Sequence, residues 1–352
     1  MINIKINNEK IKEIKKIWCN WFFRNERIKE YVDILDVDAV YRKMIFEEDS
    51  DYIAWKNEYI FNTKVIKDWR WRDKICAYIF DDLSDEQYVI NKYKKRIQKR
   101  TEDFLIANYE RYRANIGLAK IISIMKIEVC PYCNRNFMEN YAVMNNGKSK
   151  IYFKGDLDHH YSKDEIPALA LSFYNLIPSC KVCNHEKLQS TKRTFYPYYD
   201  NEEKEYRFCI ELYDENDEND IIYDRPIENI EKKRYDSTVW QGISDNFKIK
   251  LRGIEKLQLN ECMKNSNEVF HLEKKYNHSK EYVKEIIRKK YMYPEVHKDA
   301  LLKNFGEVFK NDKEILETFY SYLECREYLY NRPLSKLTKD VMMQMGILTE
   351  ES

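Results

Sequence analysis

The sequence is poor in the two residues that most often bend or break a chain, with seven glycines and seven prolines in 352 residues. No Gly/Ser-rich or Pro-rich linker and no internal repeat interrupts it, so any domain boundaries are soft. Long apolar runs are missing too. No stretch approaches the roughly 18–20 apolar residues of a membrane span. The opening MINIKINNEKIKEIKK has no uninterrupted apolar core of the signal-peptide kind. The expectation is a cytoplasmic protein with no membrane role. An excess of charge of one sign is also lacking. The 61 Lys and Arg stand against 60 Asp and Glu, for a formal net charge of +1. That excludes a globally basic nucleic-acid binder and confines attraction for phosphate to local patches. There is no P-loop pattern, so any ATPase that serves this chain is a separate protein.

What is present is a soluble globular balance of 43% hydrophobic and 34% charged residues, in a chain long enough for two or three lobes. The 29 tyrosines come with abundant Lys, Ile and Asn. Low-GC codon usage produces that set, and the tyrosine count alone implies no stacking surface. Residues 8–126 read as helical, because apolar positions in EKIKEIKKIWCNWFFRNERIKEYVDIL recur at three- and four-residue steps. A second long pattern runs from about 85 to 126 and opens with Ser84-Asp85-Glu86-Gln87, which fits a capping box. Within 92–126, ten Lys/Arg stand against three Asp/Glu. This is either a solvated helix face or a face turned to phosphate. Further on, KIYFKGDLDH reads as a strand ending on a polar pair, and NHEKLQS as the start of a short helix. EYRFCIELYD and NFKIKLRGI read as strands, with DENDEND between them as a solvated acidic loop. SKEYVKEIIRKKY and NDKEILETFYSYLECREYLY read as helices, and Pro333 sits near the first turn of a last one.

Nine cysteines, an odd number, argue against a disulfide framework in a reducing compartment. Cys19, Cys76, Cys209, Cys262 and Cys325 are scattered and read as small buried hydrophobes. The other four are two Cys-x-x-Cys pairs, Cys130/Cys133 and Cys180/Cys183. Each pair makes a tight knuckle, and two knuckles supply the tetrahedral sulfur shell of a structural zinc, which leaves no open position for water. A redox motif would use one pair in a βαβ setting. The insert between the knuckles is 46 residues, longer than the spacing of about 15–20 in a simple zinc ribbon.

That insert carries Asp158-His159 at the end of the expected strand and Asn175 ahead of the second knuckle. Asn184 directly follows Cys183, with Lys187 three residues on. One carboxylate, one carboxamide and one imidazole make a poor zinc site but a reasonable magnesium site with a base beside it. A bare Asp-His pair is more often a buried hydrogen-bonded pair without chemistry. The two flanking knuckles and the two asparagines shift the balance toward chemistry.

The pattern Cys-x-x-Cys … Asp-His … Asn-Leu … Cys-x-x-Cys-Asn-x-x-Lys resembles the zinc-bearing HNH endonucleases, over about residues 127–195. LDHHYSKDEIPALALSFYNLIPSCKVCN is also similar to HNH nucleases of bacterial defence systems, such as the nuclease subunit of Septu-type systems, which works beside an ATPase. The resemblance implies a ββα-metal core. In it His159 is the general base, and Asn175 holds the His159 loop by hydrogen bonding. Asp158 and Asn184 bind Mg²⁺ or Mn²⁺, and Cys130, Cys133, Cys180 and Cys183 bind structural Zn²⁺. Lys187 either contacts the phosphate backbone or supports the fold. The sequence departs from the pattern at His160, where a hydrophobe is common, and at Ser162, where proline is usual. His160 is a rival to His159, disfavoured because adjacent strand residues face opposite ways. His185 is a rival to Asn184, disfavoured because adjacent helix residues differ by about 100°.

The expected architecture is mainly α with a small central ββα-metal core, α+β overall. Residues 1–126 would form an N-terminal helical lobe, 127–195 the nuclease core and 196–352 a mixed, mainly helical C-terminal lobe. The implied function is metal-dependent hydrolysis of nucleic-acid phosphodiesters in bacterial anti-phage defence, with DNA ahead of RNA as substrate. The implied partners are nucleic acid, a separate regulatory ATPase and a second copy of the chain. The competing readings are an RNA-directed toxin nuclease with the same chemistry and a zinc-stabilised module that binds without cutting.

Overall fold

The computed structural model describes residues 2–22, 25–61, 73–113, 116–145, 148–188, 190, 192–198, 206–214, 217–222, 236–254, 259–292, 295–321 and 331–348. Most of these residues are helical, and three small antiparallel sheets are set among the helices, so the fold is α+β. No described helix is long and apolar enough to cross a membrane.

The N-terminal part consists of α1 (Asn8–Phe22), α2 (Asn25–Val37), α3 (Ala39–Ile45), α4 (Asp49–Phe61), α5 (Asp73–Ile79), α6 (Glu86–Tyr93), α7 (Lys99–Arg113) and α8 (Ile116–Met125). The expected long pattern from 85 to 126 is therefore three helices. Its first cap also sits one residue later than Ser84. Asp85 is the N-cap, and its carboxylate accepts from Tyr88 N at 3.0 Å. A charged acceptor satisfies an orphan amide and complements the helix dipole as well. In α7, Thr101, Phe104, Leu105, Asn108, Tyr109 and Tyr112 are buried. Spacings of three and four put them on one face of the helix.

After the first knuckle, KIYFKGDLDH is not one strand. β1 (Asn140–Asn145) and β2 (Lys148–Phe153) form a hairpin, with Tyr141 opposite Tyr152. The chain then bends at Lys154-Gly155 into β3 (Asp156–His159). Gly155 is required at this bend. A β-carbon there would lie 2.4 Å from the Phe153 ring and 2.9 Å from the Ser179 carbonyl. β3 pairs with β4 (Leu176–Ser179), with Asp158 opposite Ile177 and His159 opposite Leu176. β4 runs directly into α9 (Lys181–Leu188), so the second knuckle starts the helix. The result is a strand, a returning strand and a helix, with the connection between the strands tightened by short 3₁₀ turns at Pro167–Leu169 and Phe173–Asn175.

The C-terminal part opens with β5 (Tyr206–Asp214), flanked by β6 (Asp217–Ile222) and β7 (Phe247–Gly253). Most of the expected acidic loop DENDEND is thus the second strand of a hairpin. Backbone pairing to β5 outweighs the weak strand propensity of Asp and Asn there. Helices α10 (Glu261–Val269), α11 (Leu272–Asn277), α12 (Lys280–Met292), α13 (Glu295–Asn304), α14 (Asp312–Tyr320) and α15 (Ser335–Gln344) follow. Pro333 lies just before α15, next to its first turn. Leu334, in the left-handed region at φ 62°, is the N-cap.

β6 pairs with β5 only over Leu212–Asp214, and side chains of α15 cover part of the remaining edge. Asp340 accepts from Phe208 N at 2.8 Å. Gln344 accepts from Ile210 N at 2.8 Å and donates to Ile210 O at 2.9 Å. An exposed strand edge is thereby closed.

The three expected lobes share one continuous apolar core that runs from Ile4 through Leu157 and Cys183 to Leu348. The first described residue and the cap of the last helix are both tied to the first knuckle. Ile2 N donates to Pro131 O at 2.9 Å, and Leu334 N to Asn134 O at 2.6 Å. Of the scattered cysteines, Cys19 and Cys209 are buried and Cys76 and Cys262 half-buried. Cys19 and Cys76 meet across α1 and α5, with sulfurs 2.6 Å apart. Cys325 lies outside the described residues.

Candidate functional site

The two knuckles converge. The sulfurs of Cys130, Cys133, Cys180 and Cys183 all lie within 4.8 Å of one another and all four residues are buried, a donor set that can hold a metal ion such as zinc. A tetrahedral shell with Zn–S of about 2.3 Å places its sulfurs about 3.8 Å apart. The Cys133–Cys180 separation is 4.0 Å, so the spacing fits. Burial pushes the Cys130 thiol well up from its ordinary value, while hydrogen bonds from the other thiols pull Cys180 down. The thiolate is the metal ligand, so binding of an ion here would displace the thiol protons.

Backbone geometry sets the knuckles. Asn134 N donates to Cys130 O at 2.8 Å and Asn184 N to Cys180 O at 3.0 Å. Asn134 adopts φ 46°, a conformation that asparagine tolerates better than most side chains. Its carboxamide oxygen accepts from Lys336 N at 2.9 Å, satisfying the N-terminus of α15 from 202 residues away. Asn136 donates its side-chain N–H to Cys180 Sγ at 3.3 Å. Tyr276 donates to Cys133 O at 2.8 Å.

On the other side of the same β3–β4–α9 unit, a cleft of 460 Å³ brings Asp158, His159, Asn184 and Lys187 together. Asp158 is buried, and its Oδ2 accepts from Tyr132 at 2.6 Å and from Lys187 at 2.9 Å. Its Oδ1 has no partner among the described residues. Asn184 donates Nδ2–H to Asp156 at 3.3 Å, which leaves its Oδ1 without a partner among the described residues. His159 lies 3.0 Å from the Ala170 carbonyl through Nε2. A carbonyl only accepts, so Nε2 carries the hydrogen and Nδ1 keeps the ring lone pair. Burial lowers the His159 pKa to about 4, against opposing help from the Ala170 carbonyl and Asp158. The imidazole is therefore neutral at pH 7. The Tyr109 ring packs against it at 4.3 Å, and the Tyr109 hydroxyl donates to Leu157 O at 3.0 Å.

Asn175 is fully buried and braces the loop after His159 at three points. It accepts from Tyr161 N at 2.7 Å and donates to Tyr161 O at 3.0 Å and Leu169 O at 3.1 Å. Lys187 is buried as well, and besides Asp158 it donates to His159 O at 2.6 Å and His160 O at 3.1 Å. Of the two roles open to Lys187, its contacts are those of support.

Among the rivals, His160 packs on Tyr196 at 4.6 Å, with its Nδ1 buried and lacking a hydrogen bond. Burial holds its pKa well below the ordinary value. His185 is exposed on α9 and does not line the cleft, whereas Asn184 does. His271 caps α11 and lies outside the cleft too. Of the basic excess between 92 and 126, Lys92 pairs with Asp81 and Lys99 with Asp103. Arg113 reaches the site through Asp156, at 2.9 Å.

Sequence reasoning missed Tyr132, Asp156 and Tyr109. Tyr132 lies between the two ligands of a knuckle, a position with no expected side-chain role. Asp156 stands one strand repeat before Asp158 and so on the same face, a signal that could have found it. Tyr109 is one tyrosine of 29 in a helix 50 residues away.

No family model, curated protein or solved structure matches this chain.

Proposed function

We propose that this chain is a metal-dependent endonuclease of the HNH type that hydrolyses nucleic-acid phosphodiester bonds, with DNA the first substrate to test. The observation that carries the reading is the state of His159. It is a neutral imidazole with Nε2–H fixed on the Ala170 carbonyl, in one cleft with Asp158 and Asn184, and among the described residues His159 Nδ1, Asp158 Oδ1 and Asn184 Oδ1 have no partner. A non-catalytic binder has no need of such a set.

The donor atoms fit a hard divalent cation. Asp158 and Asn184 each offer one side-chain oxygen, in keeping with Mg²⁺ or Mn²⁺, which take one or two protein ligands and fill the rest with water and phosphate. When bound, such an ion stabilises negative charge on the phosphate and the leaving oxygen. The chain's own residues do the rest. His159 Nδ1 takes a proton from water as the water oxygen forms the new bond to phosphorus. The bond to the 3′-oxygen breaks, and the departing oxyanion takes a proton from solvent, giving 5′-phosphate and 3′-hydroxyl ends. Tyr132 and Lys187 hold Asp158 in one rotamer, and Asn175 holds the backbone that carries His159. The four-cysteine cluster, as a closed zinc site, fixes the base of the unit and takes no part in the reaction. The motif resemblance extends the reading to bacterial anti-phage defence beside a separate ATPase.

The test is cleavage of supercoiled plasmid by purified protein in Mg²⁺ or Mn²⁺, beside His159→Ala. Loss of one proton-transfer group costs about 10²–10⁴-fold, so cutting should nearly vanish in the variant. Equal cutting by both proteins would remove His159 from the mechanism. No cutting by either, with RNA and DNA both tried, would favour the binding module.

A further inference from the structure

A second groove of 350 Å³ lies beside the cleft, between the end of α7, α8, β2, the bend at Gly155 and the start of α9. The two depressions share Arg113 and Leu157 in their walls. β3 runs from one to the other, from Asp156 in the groove to Asp158 in the cleft, about 7 Å along the strand. Their charge differs sharply. The cleft is lined by five basic and five acidic side chains. The groove is lined by Arg113, Lys150, Lys154 and Lys181, against Asp156 alone. Lys150, Lys154 and Lys181 are exposed, and among the described residues none has a carboxylate within ion-pair distance. Two of the three are positioned, because Lys150 and Lys154 sit 4.9 Å and 5.9 Å from the centre of the Tyr152 ring, which restricts two otherwise flexible side chains.

A chain with a net charge of +1 has no general attraction for polyanions, so this local concentration of unpaired lysines is a feature that needs an account. We propose that the groove is the track for the nucleic-acid backbone flanking the scissile phosphate, with Lys150, Lys154 and Lys181 each meeting a phosphate. The proposal rests on the nuclease reading for the place of the scissile bond. β2 and the bend after it, which carry none of the motif's named residues, then supply substrate capture that the balanced cleft lacks. Direct charge contacts of this kind give affinity without base specificity.

The test uses the full chain carrying His159→Ala, so that substrate survives, and a fluorescein-labelled 20-base-pair DNA duplex without added divalent metal. Anisotropy titrations at several salt concentrations compare this parent with the same protein carrying Lys150→Glu, Lys154→Glu and Lys181→Glu. A charge-matched control carries Lys264→Glu, Lys303→Glu and Lys310→Glu, exposed positions outside the groove. Metal content and circular dichroism equal to the parent establish that each variant folds. The groove variant should bind at least tenfold more weakly than the control, and its log–log salt slope should be shallower by about 2–3, at about 0.9 per phosphate contact on duplex DNA. Equal affinity and slope in groove variant and control would overturn the proposal, as would no binding by the parent at low salt. The same lysine substitutions on the His159 background of the wild type separate the two readings. Cutting that persists unchanged would sink the groove and leave the nuclease standing. Groove-dependent binding by a protein that never cuts would sink the nuclease and leave the groove standing.

Discussion

The two sides of the β3–β4–α9 unit lie on neighbouring stretches of the same chain segment and differ in what they leave open. On the knuckle side, four sulfurs face one another within 4.8 Å, and the surrounding hydrogen bonds from Asn136 and Tyr276 act on the sulfur of Cys180 and the backbone of Cys133. Every donor atom points inward, so this side can take one ion and nothing more. On the cleft side, each key side chain has one atom committed to the protein and another without a partner among the described residues. His159 commits Nε2, Asp158 commits Oδ2 and Asn184 commits Nδ2. The committed atom fixes the rotamer, and the other remains for a ligand. A saturated shell suits scaffolding, and a half-saturated one suits chemistry.

Removing a sulfur tests the first half of this contrast and should have the largest effect. Cys180→Ser should abolish stoichiometric zinc binding by the purified protein and cause loss of cooperative unfolding, since metal affinity of this kind of site is folding free energy of about 10 kcal/mol or more. Elemental analysis with a thermal melt reads both. A variant that keeps its metal and its melt would make the cluster an incidental group of buried thiols.

The cleft's committed atoms give smaller, graded effects. Lys187→Met keeps the aliphatic stem but strands the buried Asp158 carboxylate. Breaking a buried pair from one side costs about 3–5 kcal/mol, measurable by urea unfolding. A loss below about 1 kcal/mol would show that Asp158 needs no counter-ion. Tyr132→Phe removes one hydrogen bond to the same carboxylate and leaves the ion pair intact. It should cost about 1.5–3 kcal/mol, and combined with Lys187→Met the two effects should be non-additive because they share an acceptor.

The smallest effect concerns a carboxylate that is held like Asp158 but does not line the cleft. Asp81 accepts from Tyr93, from Tyr88 at 2.7 Å and from Lys92 at 3.0 Å. Burial alone would raise its pKa, but these hydrogen bonds win and hold it below the ordinary value of 3.8. The unfolded chain therefore takes up a proton at a higher pH than the folded one. The stabilisation is complete above pH 3.8 and is lost as pH falls through the lower folded pKa. Asp81→Asn should destabilise the protein at pH 7, and the gap to wild type should close only in strong acid. A gap that stays constant down to pH 2 would assign the effect to packing rather than charge.

Much of the site was legible in the sequence because its parts are tied to local rules. A Cys-x-x-Cys turn is a knuckle in most contexts, a strand ends where polar residues take over, and a helix start puts Asn184 one residue past a sulfur. Asn175 makes three hydrogen bonds to the loop after His159. The β1–β2 hairpin was hidden because the bend at Gly155 depends on a close approach of Phe153 and Ser179, and pattern alone does not show which backbone comes near. The cap at Asp85 and the strand at Asp217–Ile222 were misjudged because single-residue cap choice and tertiary pairing overrule local propensity.

The sequence by itself determined the helical bulk, the pairing of cysteines into knuckles and the order of Asp158, His159, Asn175 and Asn184, because periodicity and spacing are properties of the chain. Only the tertiary structure decided that Lys187 points inward, that Tyr132 and Asp156 hold the candidate ligands, that α7 packs Tyr109 on His159, and that the last helix is capped by Asn134. Those contacts join residues from 26 to 202 positions apart. Their geometry follows from how the one shared core packs, which no local pattern encodes.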